Sequence, residues 1–387
     1  MNKLSLLGAS GSIGDSTLQL VRSSPEIFNI VGMTGNKNVE KMAELITEFN
    51  PSIVAMSDRS SARELNSRFK IDVLSGEEGL NEVAAFHDAD TVVAGIVGYA
   101  GLPSILAAIK SNKRLLLANK EALVCAAPIL VSELKRSKAE ILPIDSEHNA
   151  IFQCLGENYR CFTRPKNLRR IILTASGGPF RNTSLEKMES ASVEEAIAHP
   201  KWKMGKKISV DSATMMNKGL EMIEAFWLFN LKPTEIEVVI HPESIVHSMV
   251  EFRDRSTLAQ LSNPDMRVPI SSALLWPKRI DTNCSPLDWT KQSKLSFENV
   301  DLQKFQSIEI TKMILNEGPT ASCILNSANE VAVHAFLTDK IVFGEITKVI
   351  DQILSKFSTQ FSAKINSVAE LNQLNMKISE FGKTLHR

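Results

Sequence analysis

Two acidic residues that could bind a metal ion follow a short apolar run in the middle of the chain. Asp145 and Glu147 come directly after residues 141–144, which read ILPI. Side chains two positions apart in an extended segment point to the same side, so the two carboxylates could converge on one cation. Carboxylate oxygens are hard ligands that suit Mg²⁺ or Mn²⁺. The simpler alternative is a solvated loop end, because charged residues are mostly exposed.

A second polar group lies in the string SATMMNKGLE, which runs from Ser212 to Glu221. This string is predicted to open a helix, in which Asn217 and Glu221 share a face because they are four residues apart. Ser212 is expected near the helix start, as an N-cap or as a donor to an anion. Ser212, Asn217 and Lys218 would then bind a phosphate, and Glu221 could complete the metal ligands. An amphipathic, capped helix without a ligand is the alternative.

Gly8, Gly11 and Gly14 form a GxxGxxG loop between the first predicted strand and the first predicted helix. Glycines let the backbone approach a pyrophosphate closely, and a helix N-terminus offers N–H groups and the positive end of its dipole. A plain strand-to-helix turn would also explain the spacing. Its position at the start of a βαβ pattern favours a dinucleotide.

The second predicted strand ends without the acidic residue that usually binds the ribose 2′-hydroxyl of NAD. Residues 33–38 read MTGNKN, and Lys37 between Asn36 and Asn38 could instead bind a 2′-phosphate. We therefore expect NADP rather than NAD, with a solvated surface loop as the alternative.

Asn119, Lys120 and Glu121 start a predicted helix directly after the buried strand 115–117. They would lie at the carboxyl edge of a parallel sheet, where open α/β sheets bind their ligands. Lys120 is expected to contact a substrate and Glu121 to orient it. An acidic residue in a first helical turn also interacts favourably with the helix dipole, which is the alternative for Glu121.

The segment from Ser176 to Gly205 has the features of a lid. Glycines near both ends could act as hinges, and Trp202 and Met204 could cover an apolar part of a bound substrate or cofactor. Lids exclude water from active sites in which the reaction must be kept away from solvent. The tryptophan could equally pack on the domain surface.

The pattern of apolar runs predicts the elements that position these residues. Over the first 145 residues, short β-like runs alternate with helical periods, which predicts a doubly wound, Rossmann-like parallel sheet. Farther on, three strands follow one another without long helices between them, which predicts a central α+β domain. The last part of the chain is mostly helical. We predict an α/β fold with domains at 1–146 and 147–276, a linker at 277–300 and a C-terminal helical domain at 301–387.

Composition excludes several classes of protein. The 387 residues carry 44 Lys and Arg against 44 Asp and Glu, a net charge of zero without a basic run, which disfavours a nucleic-acid partner. The five cysteines form no CxxC pair, so neither a zinc site nor a disulfide framework is indicated, and a reducing cytoplasm fits. No signal peptide is expected. The uncharged stretch 91–109 contains three glycines and a proline, which favours a buried strand, loop and helix over a membrane span.

Taken together, these motifs resemble the 1-deoxy-D-xylulose 5-phosphate reductoisomerase family. The resemblance rests on GASGSIG at 8–14, ANKE at 118–121, DSEHNAIF at 145–152, SGGPF at 176–180, His199 with Trp202 and Met204, and VDSATMMNKGLE at 210–221. These strings follow the order in which the family has them. Ser10 stands where the family commonly has Thr, and Asn36 stands where it commonly has Gly.

The resemblance implies a reaction and its cofactors. The family converts 1-deoxy-D-xylulose 5-phosphate to 2-C-methyl-D-erythritol 4-phosphate, an early step of non-mevalonate isoprenoid synthesis. A divalent cation, Mg²⁺ or Mn²⁺, holds the sugar phosphate substrate while the carbon skeleton rearranges by retro-aldol cleavage and re-addition. NADPH then reduces the resulting aldehyde. The family is homodimeric through its central catalytic domain, which carries the lid, and it ends in a helical bundle.

The resemblance also implies roles for individual residues. The metal ligands would be Asp145, Glu147 and Glu221, and the catalytic residues Lys120, Glu147 and His199. Substrate would be held by Lys120, Ser146 and Glu147 at its reacting end, and by Ser176, His199, Ser212, Asn217, Lys218 and Glu221 elsewhere. NADPH would contact Ser10, Gly11, Ser12, Ile13, Asn36, Lys37, Asn38, Asn119, Glu121 and Gly205. Trp202 and Met204 would belong to the lid.

Two other functions would use some of the same features. A simple NADP-dependent dehydrogenase of another small phosphorylated or carboxylated substrate needs a hydride acceptor but not three acids. A nucleotide-sensing protein would bind NADPH without turnover, and the acid set and the lid argue against it.

Overall fold

The computed structural model describes residues 1–69, 71–198 and 205–385, which divide into two compact units. The first unit comprises Met1–Ala122, Leu130–Phe152 and Asp265–Ser285, and the second comprises Leu123–Ile129, Gln153–Pro264 and Pro286–Arg387. The chain thus enters each unit three times. The finer division into two domains, a linker and a helical domain stays a prediction.

A seven-stranded parallel sheet forms the centre of the first unit. Its strands are β1 (Asn2–Leu7), β2 (Phe28–Gly35), β3 (Ile53–Met56), β4 (Val73–Ser75), β5 (Thr91–Ala94), β6 (Arg114–Leu117) and β7 (Glu140–Pro143). The spatial order is β4-β3-β2-β1-β5-β6-β7. Strands β2 to β4 therefore lie on one side of β1 and strands β5 to β7 on the other, so the strand order reverses between β1 and β5. Ligands bind at such a reversal in doubly wound folds. The predicted doubly wound sheet is confirmed.

Helices connect these strands and cover the sheet. They are α1 (Ser12–Ser23), α2 (Val39–Phe49), α3 (Arg59–Arg68), α4 (Gly76–Ala85), α5 (Leu102–Lys110), α6 (Lys120–Leu134) and α7 (Ser146–Leu155). Helix α6 is kinked, with a non-helical backbone at Ala126 and Pro128 inside it. Proline lacks the N–H that a helix interior needs, which explains the kink. The stretch 91–109, whose strand and helix are β5 and α5, has the predicted form.

The second unit contains a mixed four-stranded sheet. Its strands are β8 (Leu168–Ala175), β9 (Ile236–Ile240), β10 (Val246–Phe252) and β11 (Thr257–Leu261), in the order β11-β10-β8-β9. Strand β8 pairs parallel with β9 and antiparallel with β10, which in turn pairs antiparallel with β11. This mixed sheet confirms the predicted α+β part of the chain.

The remaining helices complete the fold. They are α8 (Leu185–Glu189), α9 (Val193–Ile197), α10 (Lys206–Ala213), α11 (Met216–Leu228), α12 (Arg267–Leu275), α13 (Ser307–Ile314), α14 (Ala321–Leu337), α15 (Ile346–Phe357) and α16 (Val368–Gly382). Helix α12 belongs to the first unit, and α14 packs against α15 and α16 in the second. None of the helices in the described ranges is both long and apolar enough to cross a bilayer.

The burial of Leu6 in β1 predicts how the free energy of unfolding will respond to its truncation. Leu6 lies in the middle of the sheet with no exposed surface, so Leu6→Ala would leave a cavity. We expect the free energy of unfolding to fall by about 2–5 kcal/mol, measured by urea denaturation. As a control, Met376→Ala on α16, where the side chain is 58% exposed, should change it by less than about 0.5 kcal/mol. Equal losses in both variants would contradict the placement of Leu6 in the core.

Candidate active site

The glycine loop lies at the carboxyl end of β1, in the conformation that a phosphate-binding turn needs. Gly8 has a φ of +79°, and a Cβ there would lie 2.9 Å from the Gly95 carbonyl oxygen. A Cβ on Gly14 would lie 2.3 Å from the Ala9 carbonyl oxygen. Gly11 precedes α1 without a side-chain cap, so no side chain at this position takes up the N–H groups of the first turn. The loop therefore leaves room and donors for an anionic group.

The loop after β2 is tied to the neighbouring loop after β3. The Asn38 side chain caps α2 by accepting the N–H of Lys41 at 3.1 Å. Asp58 caps α3 in the same way through Ser61, at 2.8 Å. The hydroxyl of Ser60, with the N–H and hydroxyl of Ser61, lowers the pKa of Asp58 to about 2. Lys37 is exposed, and its charge also lowers the pKa of Asp58.

Asn119 shapes the turn after β6 with its whole amide group. Its Oδ1 accepts the N–H of Ala122 at 2.9 Å, and its Nδ2 donates to the carbonyl oxygens of Ile96 and Gly98, both at 2.7 Å. Both hydrogens of the amide nitrogen are therefore used within the protein. Contact with a cofactor would be left to the second lone pair of Oδ1 or to the backbone.

Lys120 is the first residue of α6 and forms an ion pair with Asp145. Its Nζ lies 2.6 Å from Asp145 Oδ2, and the two side chains are only 13% and 11% exposed. Glu121, the next residue, is 6% exposed. A nearly buried ion pair holds both charges in one geometry, because separation would leave either one poorly solvated. The predicted substrate lysine and the predicted metal ligand thus meet in the first unit.

Asp145 and Glu147 come together through a helix start, which corrects the expected extended segment. Helix α7 begins at Ser146, the carbonyl oxygen of Asp145 accepts the N–H of Asn149 at 2.9 Å, and its Oδ1 lies 3.4 Å from the N–H of Glu147. An aspartate is a favoured residue before a first helical turn. The two carboxylates still offer oxygens within 4.8 Å of one another. The Ser146 hydroxyl donates to Glu147 Oε2 at 2.5 Å.

The second cluster lies in the second unit, at the start of α11. Glu221 is 1% exposed, accepts a hydrogen bond from Asn217 Nδ2 at 2.5 Å, and forms an ion pair with Lys218. The i,i+4 relation predicted for Asn217 and Glu221 is therefore confirmed as a direct contact. A buried carboxylate needs such partners, because burial of an unpaired charge is very unfavourable.

Ser212 lies in the last turn of α10, so its expected position at a helix N-terminus is wrong. The chain breaks between α10 and α11, where Met215 has a left-handed φ of +59°. The Thr214 side chain bridges the break, since its Oγ1 accepts the N–H of Met216 at 3.2 Å. The string 212–221 therefore holds the end of one helix and the beginning of the next.

Ser176 follows β8 and lines a cavity of about 830 Å³ in the second unit. Its Oγ accepts the N–H of Gly178 at 3.2 Å, and Gly177 and Gly178 both have positive φ, +85° and +65°. Helices α8 and α9 follow, and Gly205 precedes α10. Gly177 and Gly178 thus form a turn whose backbone angles other residues rarely adopt. Hinge motion at this turn stays a prediction. His199, Trp202 and Met204 lie outside the described residues.

Sequence reasoning passed over three buried polar residues near these clusters. Glu224 has no exposed surface, and His148 is equally buried. The Nδ1 of His148 lies 3.7 Å from Asp145 Oδ1. Asp211, beside Ser212, is 1% exposed. Only the position of these residues in the sequence could have indicated them, because each lies within three residues of a predicted ligand.

Three family models match almost the whole chain. The model described as 1-deoxy-D-xylulose 5-phosphate reductoisomerase matches residues 4–127, and the model of that enzyme's C-terminal domain matches residues 141–229. A third model, described as the DXP reductoisomerase C-terminal domain, matches residues 261–378.

Individual proteins agree with the family models. The 1-deoxy-D-xylulose 5-phosphate reductoisomerase of Pseudomonas aeruginosa (strain UCBPP-PA14) is 48% identical over 359 residues, which cover 92% of this chain and 91% of that protein. The protein of the same name from Stutzerimonas stutzeri (strain A1501) is also 48% identical, over 358 residues that cover 91% of this chain and 90% of that protein.

Solved structures extend the similarity to the fold. A crystal structure of DOX-P reductoisomerase in complex with NADPH, fosmidomycin and magnesium has a TM-score of 0.94 and 42% identity, and the match covers 99% of this chain and 98% of the other. The Zymomonas mobilis enzyme in complex with NADPH has a TM-score of 0.91 and 39% identity, over 100% and 98% of the two chains. On sequence and fold alike, this chain belongs to the 1-deoxy-D-xylulose 5-phosphate reductoisomerase family.

Proposed function

We propose that this chain is an NADPH- and divalent-cation-dependent oxidoreductase that converts 1-deoxy-D-xylulose 5-phosphate to 2-C-methyl-D-erythritol 4-phosphate. The observation that carries the proposal is family membership along nearly the full length, at 48% identity over 92% of the chain. Related structures hold NADPH, magnesium or both, and some of them also hold fosmidomycin.

We assign Asp145, Glu147 and Glu221 as the ligands of Mg²⁺ or Mn²⁺. Their donor atoms fit such an ion, because all are carboxylate oxygens, and Asp145 and Glu147 keep oxygens within 4.8 Å of one another. Lys120 forms an ion pair with Asp145, and Lys218 forms one with Glu221. These pairs support the ionised form of both carboxylates, which is the form that binds a cation. When bound, the cation supplies Lewis-acid stabilisation of negative charge on substrate oxygens.

The polar residues around these acids are proposed to bind the two ends of the sugar phosphate. Lys120 and Ser146, with Glu147, would donate to and accept from the hydroxyl and carbonyl groups at the reacting end. Ser176, His199, Ser212, Asn217 and Lys218 would hold the phosphate end. A remote phosphate supplies binding energy that orients the reacting carbons, so these contacts should affect turnover as well as affinity.

The glycine loop and its surroundings are proposed to bind NADPH, which supplies the hydride when bound. Support comes from the cradle at Gly8 and Gly14, which a Cβ would fill. Ser10, Ser12 and Ile13 would contact the pyrophosphate side of the cofactor. Asn36, Lys37 and Asn38 would contact the adenosine side, and Asn119, Glu121 and Gly205 complete the proposed contacts, while Trp202 and Met204 would cover the site.

Lys37 should determine the preference for NADPH. Lys37→Met removes the cation proposed to face the 2′-phosphate, so kcat/KM for NADPH should fall about tenfold or more while kcat/KM for NADH changes little. Steady-state assays with both cofactors measure the ratio. Lys110→Met, at an exposed position at the end of α5, is the charge-matched control and should change neither value. Equal losses with both cofactors would contradict the assignment.

We further propose that the chain forms a homodimer through its central domain in a reducing cytoplasm. The edge strand β11 supports the dimer, since its residues 257–259 are exposed and an unpaired edge is a surface for another strand. None of the five cysteines, all of which lie in the described ranges, forms a disulfide bond, in keeping with a reducing compartment. Light scattering after size-exclusion chromatography should give about twice the 42.8 kDa of one chain. A monomer at micromolar concentration would contradict the dimer.

The proposed reaction is tested by the carbon skeleton of its product. Incubation with 1-deoxy-D-xylulose 5-phosphate, NADPH and Mg²⁺ should consume one NADPH per substrate and give a branched product, visible by ¹³C NMR. A simple dehydrogenase would reduce the ketone and leave the chain unbranched. An unbranched alcohol, or NADPH binding without consumption, would reject the proposal.

A further inference from the structure

A buried carboxylate lies directly beside the proposed phosphate-binding residues of the second unit. Asp211 precedes Ser212 in the last turn of α10 and is 1% exposed. It is neither a proposed metal ligand nor a proposed substrate contact. A carboxylate at this depth needs a partner for each oxygen, because an unpaired buried charge is strongly destabilising.

Two residues supply those partners from different parts of the chain. Lys207 lies one turn earlier in α10, and its Nζ is 2.8 Å from Asp211 Oδ2. Asn329 comes from α14, 118 residues later, and its Nδ2 donates to Asp211 Oδ1 at 2.7 Å. Asn329 has no exposed surface. Because an ionised carboxylate only accepts hydrogen bonds, the nitrogen of the amide must face it. The pair therefore fixes the end of α10 against α14.

The turn held in this way packs against the loop and the helix that carry the other proposed phosphate-binding residues of the described ranges. The carbonyl oxygen of Ser212 would lie 2.6 Å from a Cβ on Gly178, so the loop that carries Ser176 packs closely on the same turn. Thr214 donates to the carbonyl oxygen of Asp211 at 3.2 Å and caps the start of α11, which carries Asn217 and Lys218. A shift of Asp211 would move these groups relative to one another.

We propose that Asp211 and Asn329 are positioning residues, which set the spacing of the phosphate-binding groups from behind Ser212. This inference rests on the proposed function for the identity of the phosphate site. It extends that function to a pair of residues that would touch neither substrate nor cofactor. The buried contact between α10 and α14 is the means by which the C-terminal helices act on substrate binding.

Asn329→Asp is the sharpest test of this role. The variant places two carboxylates at hydrogen-bond distance, and their repulsion should displace the end of α10. We expect the dissociation constant of inorganic phosphate, measured by calorimetry without turnover, to rise about tenfold or more. The KM for the sugar phosphate should rise in parallel. The dissociation constant of NADPH should stay within about twofold, because all of its proposed contacts except Gly205 belong to the first unit, and Gly205 lies at the opposite end of α10 from Asp211.

A reciprocal exchange separates positioning from general damage. In Asp211→Asn/Asn329→Asp, a donor again faces an acceptor, so phosphate binding should recover to within about threefold of the wild-type value. Asn372→Asp, at an exposed position of α16, is the matched control and should have no effect. Should Asn329→Asp not fold, Asn329→Ser removes the amide donor without adding charge and should weaken phosphate binding about threefold or more.

Three results would overturn the inference. They are unchanged phosphate binding in the folded variant, equal losses of phosphate and NADPH binding, and an exchange variant no better than Asn329→Asp alone. Failure of the proposed function would look different. The wild-type protein would then yield no branched product, whatever the effect of these variants on phosphate binding.

Discussion

Replacement of Glu221 by glutamine is expected to lower kcat/KM by about 10²- to 10³-fold. Glutamine preserves the size of the side chain but removes its charge and one acceptor oxygen, so it is a poor ligand for a hard cation. Lys218 would also lose its anionic partner, although Asn217 could still donate to the amide oxygen. Loss of this buried ion pair should also lower the stability of the variant, so the loss of metal binding has to be identified by its dependence on Mg²⁺.

Two measurements separate these causes. The activity of Glu221→Gln should increase with the Mg²⁺ concentration over a range in which the wild-type protein is already saturated, and its melting temperature should remain above the temperature of the assay. Glu237→Gln makes the same chemical change at a 42% exposed side chain on β9 and should retain full activity. Near-normal turnover of Glu221→Gln at low Mg²⁺ would show that Glu221 is not a ligand.

Removal of divalent cations should stop turnover almost completely. After dialysis against EDTA, we expect the rate of NADPH oxidation with 1-deoxy-D-xylulose 5-phosphate to fall below about one hundredth of its initial value. Addition of Mg²⁺ or Mn²⁺ should restore it. The physical reason is that Asp145 and Glu147 would repel negative charge on the substrate oxygens, and a cation held between them would remove this repulsion.

The control for metal removal is cofactor binding. NADPH should still bind in EDTA, as measured by its fluorescence, because the glycine loop uses backbone N–H groups and no carboxylate. Full turnover in the presence of the chelator would contradict a metal-dependent rearrangement. It would favour the metal-independent dehydrogenase that the glycine loop alone also allows.

Elements with strong local patterns could be predicted from sequence. Residues 53–56 read IVAM, a run of four apolar residues that predicts a strand buried on both faces, and they form β3 with the same bounds. The apolar residues at 39, 42, 46 and 49 recur at helical spacing, which predicts a helix, and α2 spans Val39–Phe49. Helix α3 was not predicted, because only Ser61, Ala62 and Leu65 are buried in its ten residues.

The break between α10 and α11 illustrates what local reasoning misses. Residues 212–216 contain neither glycine nor proline, so the sequence predicts one continuous helix there. In the structure, Met215 has a left-handed backbone and is 2% exposed. Burial of this side chain and the hydrogen bonds of Thr214 offset the cost of the unusual backbone.

Residue types and spacing by themselves indicated the chemistry proposed for this protein: hard oxygen ligands, a phosphate-binding loop and the lysines beside them. These features are local, since each depends on residues within about one helical turn or one strand end. Only the tertiary structure decided which charges are buried and what pairs with them. The contact between Asp211 and Asn329 spans 118 residues, and no spacing rule reaches that far, because such pairs form when separate elements pack together.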